Sequence, residues 1–200
     1  MSRALKSELL HDGMRVGIYG GSFDPVHRAH RHVARTALKR LNLDRVWWMV
    51  SPGNPLKTHA PASLETRVTA VEQAMPEPRH VISTLEARLH TRTTIDLITQ
   101  LQARYPRVHF VWIMGADGLR DFHHWKDWKA IAHRIPICVV ARPGDAMRAR
   151  LSPAARFLAP ARKHDSQAKT LVLGNAPGWT YLTEPLHPEA SRVMRAKASS

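Results

Sequence analysis

The chain has 200 residues, of which 44% are hydrophobic and 23% are charged. This composition is typical of a globular protein, and the length suits one domain with a sizeable core. No run of about 18 apolar residues is present, so we expect neither a transmembrane helix nor a membrane partner. The formal net charge of +14 attracts anions. Because the positive residues are spread along the chain, we expect anionic substrates rather than specific nucleic-acid binding.

The chain opens with residues 1–13, which mix charged side chains with few apolar ones. We expect a flexible N-terminal extension there, followed by a single domain over residues 14–200. Cys138 is the only cysteine and stands in an apolar run, so it is predicted to be a buried thiol. One cysteine allows no intramolecular disulfide, and we expect a cytoplasmic protein.

The first predicted strand, Arg15–Tyr19, leads into Gly20-Gly21-Ser22-Phe23-Asp24-Pro25-Val26-His27-Arg28-Ala29-His30, where a helical pattern begins. The two glycines can take positive φ and can let another chain or a phosphate approach the backbone closely. His27 and His30 share one face at the start of the helix. Their imidazoles and the free amides of a helix N-terminus can donate hydrogen bonds to phosphate. The segment therefore predicts a nucleotide phosphate site.

Three later predicted strands end in loops with charged side chains. Lys57 follows the second strand in a stiff loop, as a point charge suited to phosphate. Asp117 follows the fourth strand, where it can hold a ribose hydroxyl, orient a metal-bound phosphate or cap a helix. Arg142 follows the fifth strand and precedes a Pro-Gly turn, a placement that suits a polyphosphate.

Two tryptophans and two histidines follow Asp117. Trp125 and Trp128 are three residues apart; one is predicted to enter the core, while the other can stack on a flat ring. His123 and His124 are adjacent and are expected to point apart. They would then be poor joint metal ligands, and we expect no metal site in the protein itself.

Short apolar strands alternate with helical patterns along the whole chain. This alternation predicts an α/β fold with a doubly wound, mostly parallel sheet, in which ligands bind beyond the carboxyl ends of the strands. The helical stretches include one that continues to about Leu41. The predicted strands are Arg15–Tyr19, Arg45–Val50, Arg79–Ser83, Val108–Met114, Ile135–Ala141 and Trp179–Thr183.

The motif from Gly20 to His30 resembles the (H/T)-x-G-H signature of the nucleotidylyltransferase superfamily, whose fold is Rossmann-like. Five later segments resemble, in the same order, those of the bacterial nicotinate-mononucleotide adenylyltransferases. They are Pro52-Gly53-Asn54-Pro55-Leu56-Lys57, Arg92-Thr93-Thr94-Ile95-Asp96, Gly115-Ala116-Asp117-Gly118-Leu119, Phe122-His123-His124-Trp125-Lys126 and Arg142-Pro143-Gly144.

The resemblance implies transfer of the adenylyl group of ATP to nicotinate mononucleotide, with magnesium carried by ATP. It implies that His27 and His30 are the catalytic donors to the ATP phosphates. The implied ATP-binding residues are Gly20, Gly21, Ser22, Phe23, Lys57, Gly115, Asp117, Arg142, Ser191 and Arg195. The implied mononucleotide-binding residues are Asn54, Thr94 and Trp125.

The chain departs from the family patterns at three places. Ala29 stands where glycine is usual, and Arg92-Thr93-Thr94 lacks the tyrosine of an S-Y-T start. Ala190 and Arg192 replace a serine and a threonine of the C-terminal motif. Two alternatives stay open: a nucleotidylyltransferase for nicotinamide mononucleotide or phosphopantetheine, and a degenerate nucleotide-binding protein without catalysis. A homo-oligomer also stays open.

Overall fold

The computed structural model describes residues 9–52, 62–91, 93–141 and 146–183. In these ranges, one sheet contains seven strands, all paired in parallel. The strands are β1 (Arg15–Gly21), β2 (Arg45–Val50), β3 (His80–Ser83), β4 (His109–Gly115), β5 (Ile137–Ala141), β6 (Arg162–Lys163) and β7 (Trp179–Thr183). Their order is β3-β2-β1-β4-β5-β7-β6. The winding reverses between β1 and β4, the position at which such sheets bind ligands.

Helices connect the strands of this sheet. They are α1 (Arg28–Arg40), α2 (Leu64–Ala74), α3 (Leu85–Arg88), α4 (Thr94–Arg104), α5 (Ala116–Asp121), α6 (Trp128–Arg134), α7 (Ala146–Arg150), α8 (Pro153–Leu158) and α9 (Ala168–Leu171). Short 3₁₀ turns cover Phe122–His124, Ala159–Ala161 and Asp165–Gln167. The prediction of a doubly wound parallel sheet is confirmed.

The six predicted strands are present, with ends shifted by up to two residues. The fifth strand begins at Ile137 rather than Ile135, because Ile135 closes α6 and Pro136 has no N–H to donate. The remaining strand, β6, was not predicted. It has two basic residues at the sheet edge, too few to show the alternation of a strand.

Side chains of the strands alternate between two buried clusters, one on each face of the sheet. Neighbouring residues Trp47 and Trp48 are both fully buried and enter opposite clusters. Cys138 is also fully buried, as predicted, and burial raises the pKa of its thiol. Among the described residues, no helix is both long and apolar enough to span a bilayer.

The residues just before β1 contact the body of the sheet. The Gly13 amide donates to the Arg107 carbonyl at 2.8 Å, and Asp12 pairs with Arg107 at 2.6 Å. Arg45 donates to the Leu9 carbonyl at 3.1 Å. Residues 1–8 lie outside the described ranges, so the division into an extension over 1–13 and a domain over 14–200 stays a prediction.

His80 at the start of β3 makes the stability of the fold depend on pH. Its Nδ1 accepts a hydrogen bond from Trp48 Nε1 at 3.1 Å, and the residue is 6% exposed. Burial lowers the pKa of this imidazole from 6.5 to about 4. Between these pH values the unfolded chain binds a proton that the folded chain does not. The free energy of unfolding should therefore fall by about 3 kcal/mol as the pH drops from 7 to 4.

Urea unfolding followed at several pH values measures this dependence. His80→Asn keeps an acceptor near the Nδ1 position but does not titrate. In this variant the free energy of unfolding should therefore fall less between pH 7 and pH 4 than in the wild type. His90→Asn is the matched control, because His90 is exposed and its left-handed backbone suits asparagine. If the free energy of unfolding depends on pH equally in the wild type and in His80→Asn, His80 is not the source of the pH dependence.

Candidate active site

A cavity of about 370 Å³ opens at the carboxyl ends of β1 and β4, where the winding of the sheet reverses. The end of β1 and the loop after it form one side, and the end of β4 with α5 forms another. The lining residues are Tyr19, Gly20, Gly21, Ser22, Phe23, Asp24, Pro25, His27, Ala29, His30, Val33, Met114, Gly115, Asp117, Gly118 and Trp125.

The cavity brings together predicted site residues from three separate segments: Gly20–Phe23 with His27 and His30, Gly115 with Asp117, and Trp125. Thr94 is the first residue of α4 and is not among the lining residues. Five further predicted site residues lie outside the described ranges, namely Asn54, Lys57, Arg142, Ser191 and Arg195. The roles assigned to all of these residues stay predictions.

The two glycines of the motif line the cavity and lie close to aromatic rings. Gly20 and Gly21 are strand residues of β1, and neither has a positive φ. A Cβ on Gly20 would lie 2.8 Å from the Trp112 ring, and one on Gly21 would lie 3.0 Å from the Phe23 ring. The freedom to take positive φ is not used here, and aromatic rings lie close to the place where a Cβ would stand.

Gly20→Ala should destabilise the protein by about 1–3 kcal/mol, the cost of overpacking a filled core. Trp112 is 2% exposed and cannot move aside easily. The measurement is urea unfolding of Gly20→Ala, Trp112→Phe and the double variant. The smaller ring should relieve most of the clash, so strict additivity of the two single effects would contradict this assignment.

Phe23 adopts the left-handed conformation in the motif, with φ at 47°. Such strain in a residue other than glycine persists only where packing compensates for it. The ring is 2% exposed and packs against Tyr19 and His30 with centroids 5.3 Å away, and against Trp48 at 5.1 Å. These contacts hold the turn that presents the start of α1 to the cavity.

His27 and His30 stack at the start of α1, with ring centroids 3.8 Å apart and an interplanar angle of 21°. His27 is the N-cap, and its backbone N–H donates to His30 Nδ1 at 3.3 Å. Since Nδ1 accepts, the neutral His30 imidazole carries its proton on Nε2. His30 thus caps the helix through Nδ1, and its ring lines the cavity.

Asp117 lies in the first turn of α5, whose N-cap is Gly115. The prediction that an aspartate here could itself be the cap is wrong, since Asp117 stands two residues inside the helix. A carboxylate in the first turn interacts favourably with the helix dipole. A Cβ on Gly115 would lie 2.5 Å from Asp117 Oδ1, so the glycine leaves room for this carboxylate beside the cavity.

The prediction that one of the two tryptophans enters the core is wrong, because both Trp125 and Trp128 are only partly buried and pack against the edge of the core. Trp125 lines the cavity and packs edge-on against Phe122 and Trp112, with centroids 5.3 and 6.0 Å away. Trp128 is not a lining residue and packs against Phe157 at 5.0 Å.

The expectation that His123 and His124 point apart is wrong. Their ring centroids are 3.8 Å apart, within the 3₁₀ turn Phe122–His124. Neither residue is among those that line the cavity.

Asp24 and Arg67 were not predicted as site residues. Asp24 lines the cavity, and its Oδ2 accepts from the Ala62 amide at 3.0 Å. Arg67 is 2% exposed and donates to the Ser22 carbonyl behind the cavity. One signal was available for Arg67: it stands four residues before Val71 and eight before Met75, on the buried face of α2.

Glu86 is a partly buried carboxyl near this edge of the sheet. It belongs to α3, which follows the carboxyl end of β3, and burial raises the pKa of its side chain to about 7. It is not among the residues that line the cavity.

Comparison with known proteins agrees with this geometry. The family model described as cytidylyltransferase-like matches residues 18–192, nearly the whole chain. The chain belongs to the cytidylyltransferase-like family. The probable nicotinate-nucleotide adenylyltransferase of Roseobacter denitrificans is 48% identical over 185 residues, covering 92% of this chain and 93% of the relative. Its counterpart from Ruegeria pomeroyi is 50% identical over 92% of this chain and 86% of the relative.

Two solved structures share the fold of this chain. Plasmodium falciparum nicotinic acid mononucleotide adenylyltransferase, complexed with NaAD, aligns with a TM-score of 0.66 at 16% identity, covering 92% of this chain and 82% of that one. A putative nicotinate-nucleotide adenylyltransferase from Vibrio parahaemolyticus aligns with a TM-score of 0.53 at 19% identity, over 79% of this chain and 98% of that one. The resemblance found in the sequence is confirmed.

Proposed function

We propose that this chain transfers the adenylyl group of ATP to nicotinate mononucleotide, giving deamido-NAD and pyrophosphate. The observation that carries the proposal is the cavity, in which His30 and Trp125 line one space at the switch point of the sheet. Relatives that bear this activity in their names match over nearly their full length. The cavity offers hydrogen-bond donors for phosphate on one side and an indole for a flat ring on the other.

The reaction needs positioning and charge stabilisation more than covalent help from the protein. A phosphate oxygen of the mononucleotide attacks the α-phosphorus of ATP in line. As that bond forms, the bond from the α-phosphorus to the oxygen bridging to the β-phosphorus breaks, and pyrophosphate leaves. No side chain acts as a nucleophile, so the donors of the cavity stabilise the negative charge of the transition state.

The geometry supports a role for each predicted site residue that lines the cavity. His30 Nε2–H donates to the reacting α-phosphate, with His27 stacked beside it. The backbone at the end of β1 lines the phosphate site. Asp117 contacts the ribose or the magnesium that arrives as part of the ATP complex, and Trp125 stacks on the nicotinate ring.

Six further roles rest on the sequence resemblance. Lys57 and Arg142 neutralise phosphates, and Ser191 and Arg195 hold the leaving pyrophosphate. Thr94 and Asn54 bind the mononucleotide. Both substrates are phosphorylated nucleotides that do not cross membranes unaided, so we expect the reaction in the cytoplasm.

Pyrophosphate release from ATP tests the proposal, with nicotinate mononucleotide, nicotinamide mononucleotide and phosphopantetheine as parallel acceptors. We expect kcat/KM to be highest for nicotinate mononucleotide, and chelation of magnesium to abolish release. CTP in place of ATP tests the donor. Preference for another acceptor would favour a nucleotidylyltransferase that acts on that acceptor. If no acceptor gives pyrophosphate release, the chain would instead be a non-catalytic nucleotide-binding protein.

A further inference from the structure

Arg67 of α2 is a buried arginine that donates four hydrogen bonds to backbone carbonyls. Its Nε donates to the Ala62 carbonyl at 2.9 Å, and Nη2 donates to the Pro52 carbonyl at 3.3 Å. Its Nη1 donates to two carbonyls, those of Ser22 at 2.9 Å and Ser51 at 2.8 Å. The residue is 2% exposed. One guanidinium therefore joins three stretches of chain that are distant in sequence.

A buried cation is costly to keep in a protein unless its donors are satisfied. The planar guanidinium directs its donors into several fixed directions at once, which suits carbonyls arriving from different segments. A lysine ammonium at the same place is a single compact point and cannot reach all of them. The arrangement therefore requires an arginine and not merely a positive charge.

The joined stretches meet behind the cavity. Ser22 belongs to the motif whose residues line the cavity, and Ser51 and Pro52 follow the end of β2. Two further bonds join the same stretches: the Ser51 amide donates to the Gly21 carbonyl at 3.0 Å, and the Ala62 amide donates to Asp24 Oδ2 at 3.0 Å. Arg67 takes no part in these two bonds, but its side chain contacts all three stretches.

We propose that Arg67 is a positioning residue that ties the phosphate-binding motif to the end of β2 and the start of α2. It touches no substrate and acts through Ser22 and its neighbours, and this role rests on the proposed function. A displacement of about 1 Å in groups that align the reacting phosphates can cost up to a hundredfold in rate. Loss of the tie should therefore appear mainly in kcat.

The test compares Arg67→Lys and Arg67→Met with Arg79→Met. Arg79 is the matched control, because its guanidinium also donates to backbone carbonyls, those of Leu43 and Asp44, but before the start of β2. Each variant is assayed about 20 °C below its own Tm. We expect kcat to fall at least about tenfold in Arg67→Lys, with KM for both substrates changed less than about threefold. Arg79→Met should lose stability and keep kcat within about twofold.

Hydrogen exchange without substrates tests the tie independently of the reaction. The amides of Ser51 and Ala62 should exchange at least about tenfold faster in Arg67→Lys than in the wild type, and at the wild-type rate in Arg79→Met. Unchanged exchange overturns the proposal, as does faster exchange with kcat unaltered. If Arg67→Met fails to fold, Arg67→Lys carries the test. A wild type inactive towards all acceptors contradicts only the proposed reaction, because the exchange result still decides whether the tie exists.

Discussion

His30→Ala should lower kcat by at least about a hundredfold, the loss expected when one donor to a transition-state oxyanion is removed. His30 lines the cavity, and its Nδ1 accepts from the His27 amide at 3.3 Å. The alanine variant therefore removes the helix cap together with the proposed phosphate donor. It should also lower the free energy of unfolding by about 1 kcal/mol, as other lost caps do.

Two further variants of His30 separate these roles. In His30→Asn, the amide oxygen stands near the Nδ1 position and can keep the cap, while the Nε2 donor is gone. In His30→Gln, the amide nitrogen can stand near Nε2 and donate. Steady-state pyrophosphate release and urea unfolding should show His30→Asn stable but slow, and His30→Gln partly active. Near-normal turnover in His30→Asn would overturn the assignment of Nε2 as the phosphate donor.

Trp125→Ala should raise KM for nicotinate mononucleotide roughly tenfold to a hundredfold, since stacking of a base on an aromatic side chain contributes about 1–3 kcal/mol. KM for ATP should change less than about threefold. Trp125 is only partly buried and lines the cavity, and two aromatic neighbours, Phe122 and Trp112, hold its ring edge-on. Initial rates with each substrate varied in turn measure both constants.

Trp128→Ala is the matched control for this experiment. Trp128 stands three residues further along and packs against Phe122 and Phe157, but it is not a lining residue. Its removal should lower stability and leave both KM values near those of the wild type. An increase in the mononucleotide KM of equal size in both variants would show that the effect comes from loosened packing rather than from stacking.

Much of the fold was predictable from local pattern. Apolar runs identified six strands, and the pattern ending near Leu41 matches α1, which Leu41 caps. Periodicity works for such elements because it records which side of a strand or helix is buried. It failed for β6, which is too short to have a period, and for Pro136, whose missing N–H delays the start of β5.

The site was predictable in part. Residues that follow β1 and β4 were expected to meet, because the carboxyl ends of parallel strands share one edge, and they do line one cavity. The close packing at Gly20 was not predictable, since nothing near it in the sequence indicates the Trp112 ring that lies over it. Arg67 was passed over because its four carbonyl partners belong to segments that only the folded chain brings together.

The sequence by itself determined the parallel α/β sheet, the family resemblance and the residue types available for phosphate chemistry. Only the tertiary structure decided which nitrogen of His30 caps α1, which tryptophan lines the cavity and why a Cβ on Gly20 would clash. The physical reason is the distance along the chain between the residues that interact. A motif and a period are properties of neighbouring residues, whereas tautomer, ring placement and close packing depend on atoms that the order of strands in the sheet brings into contact.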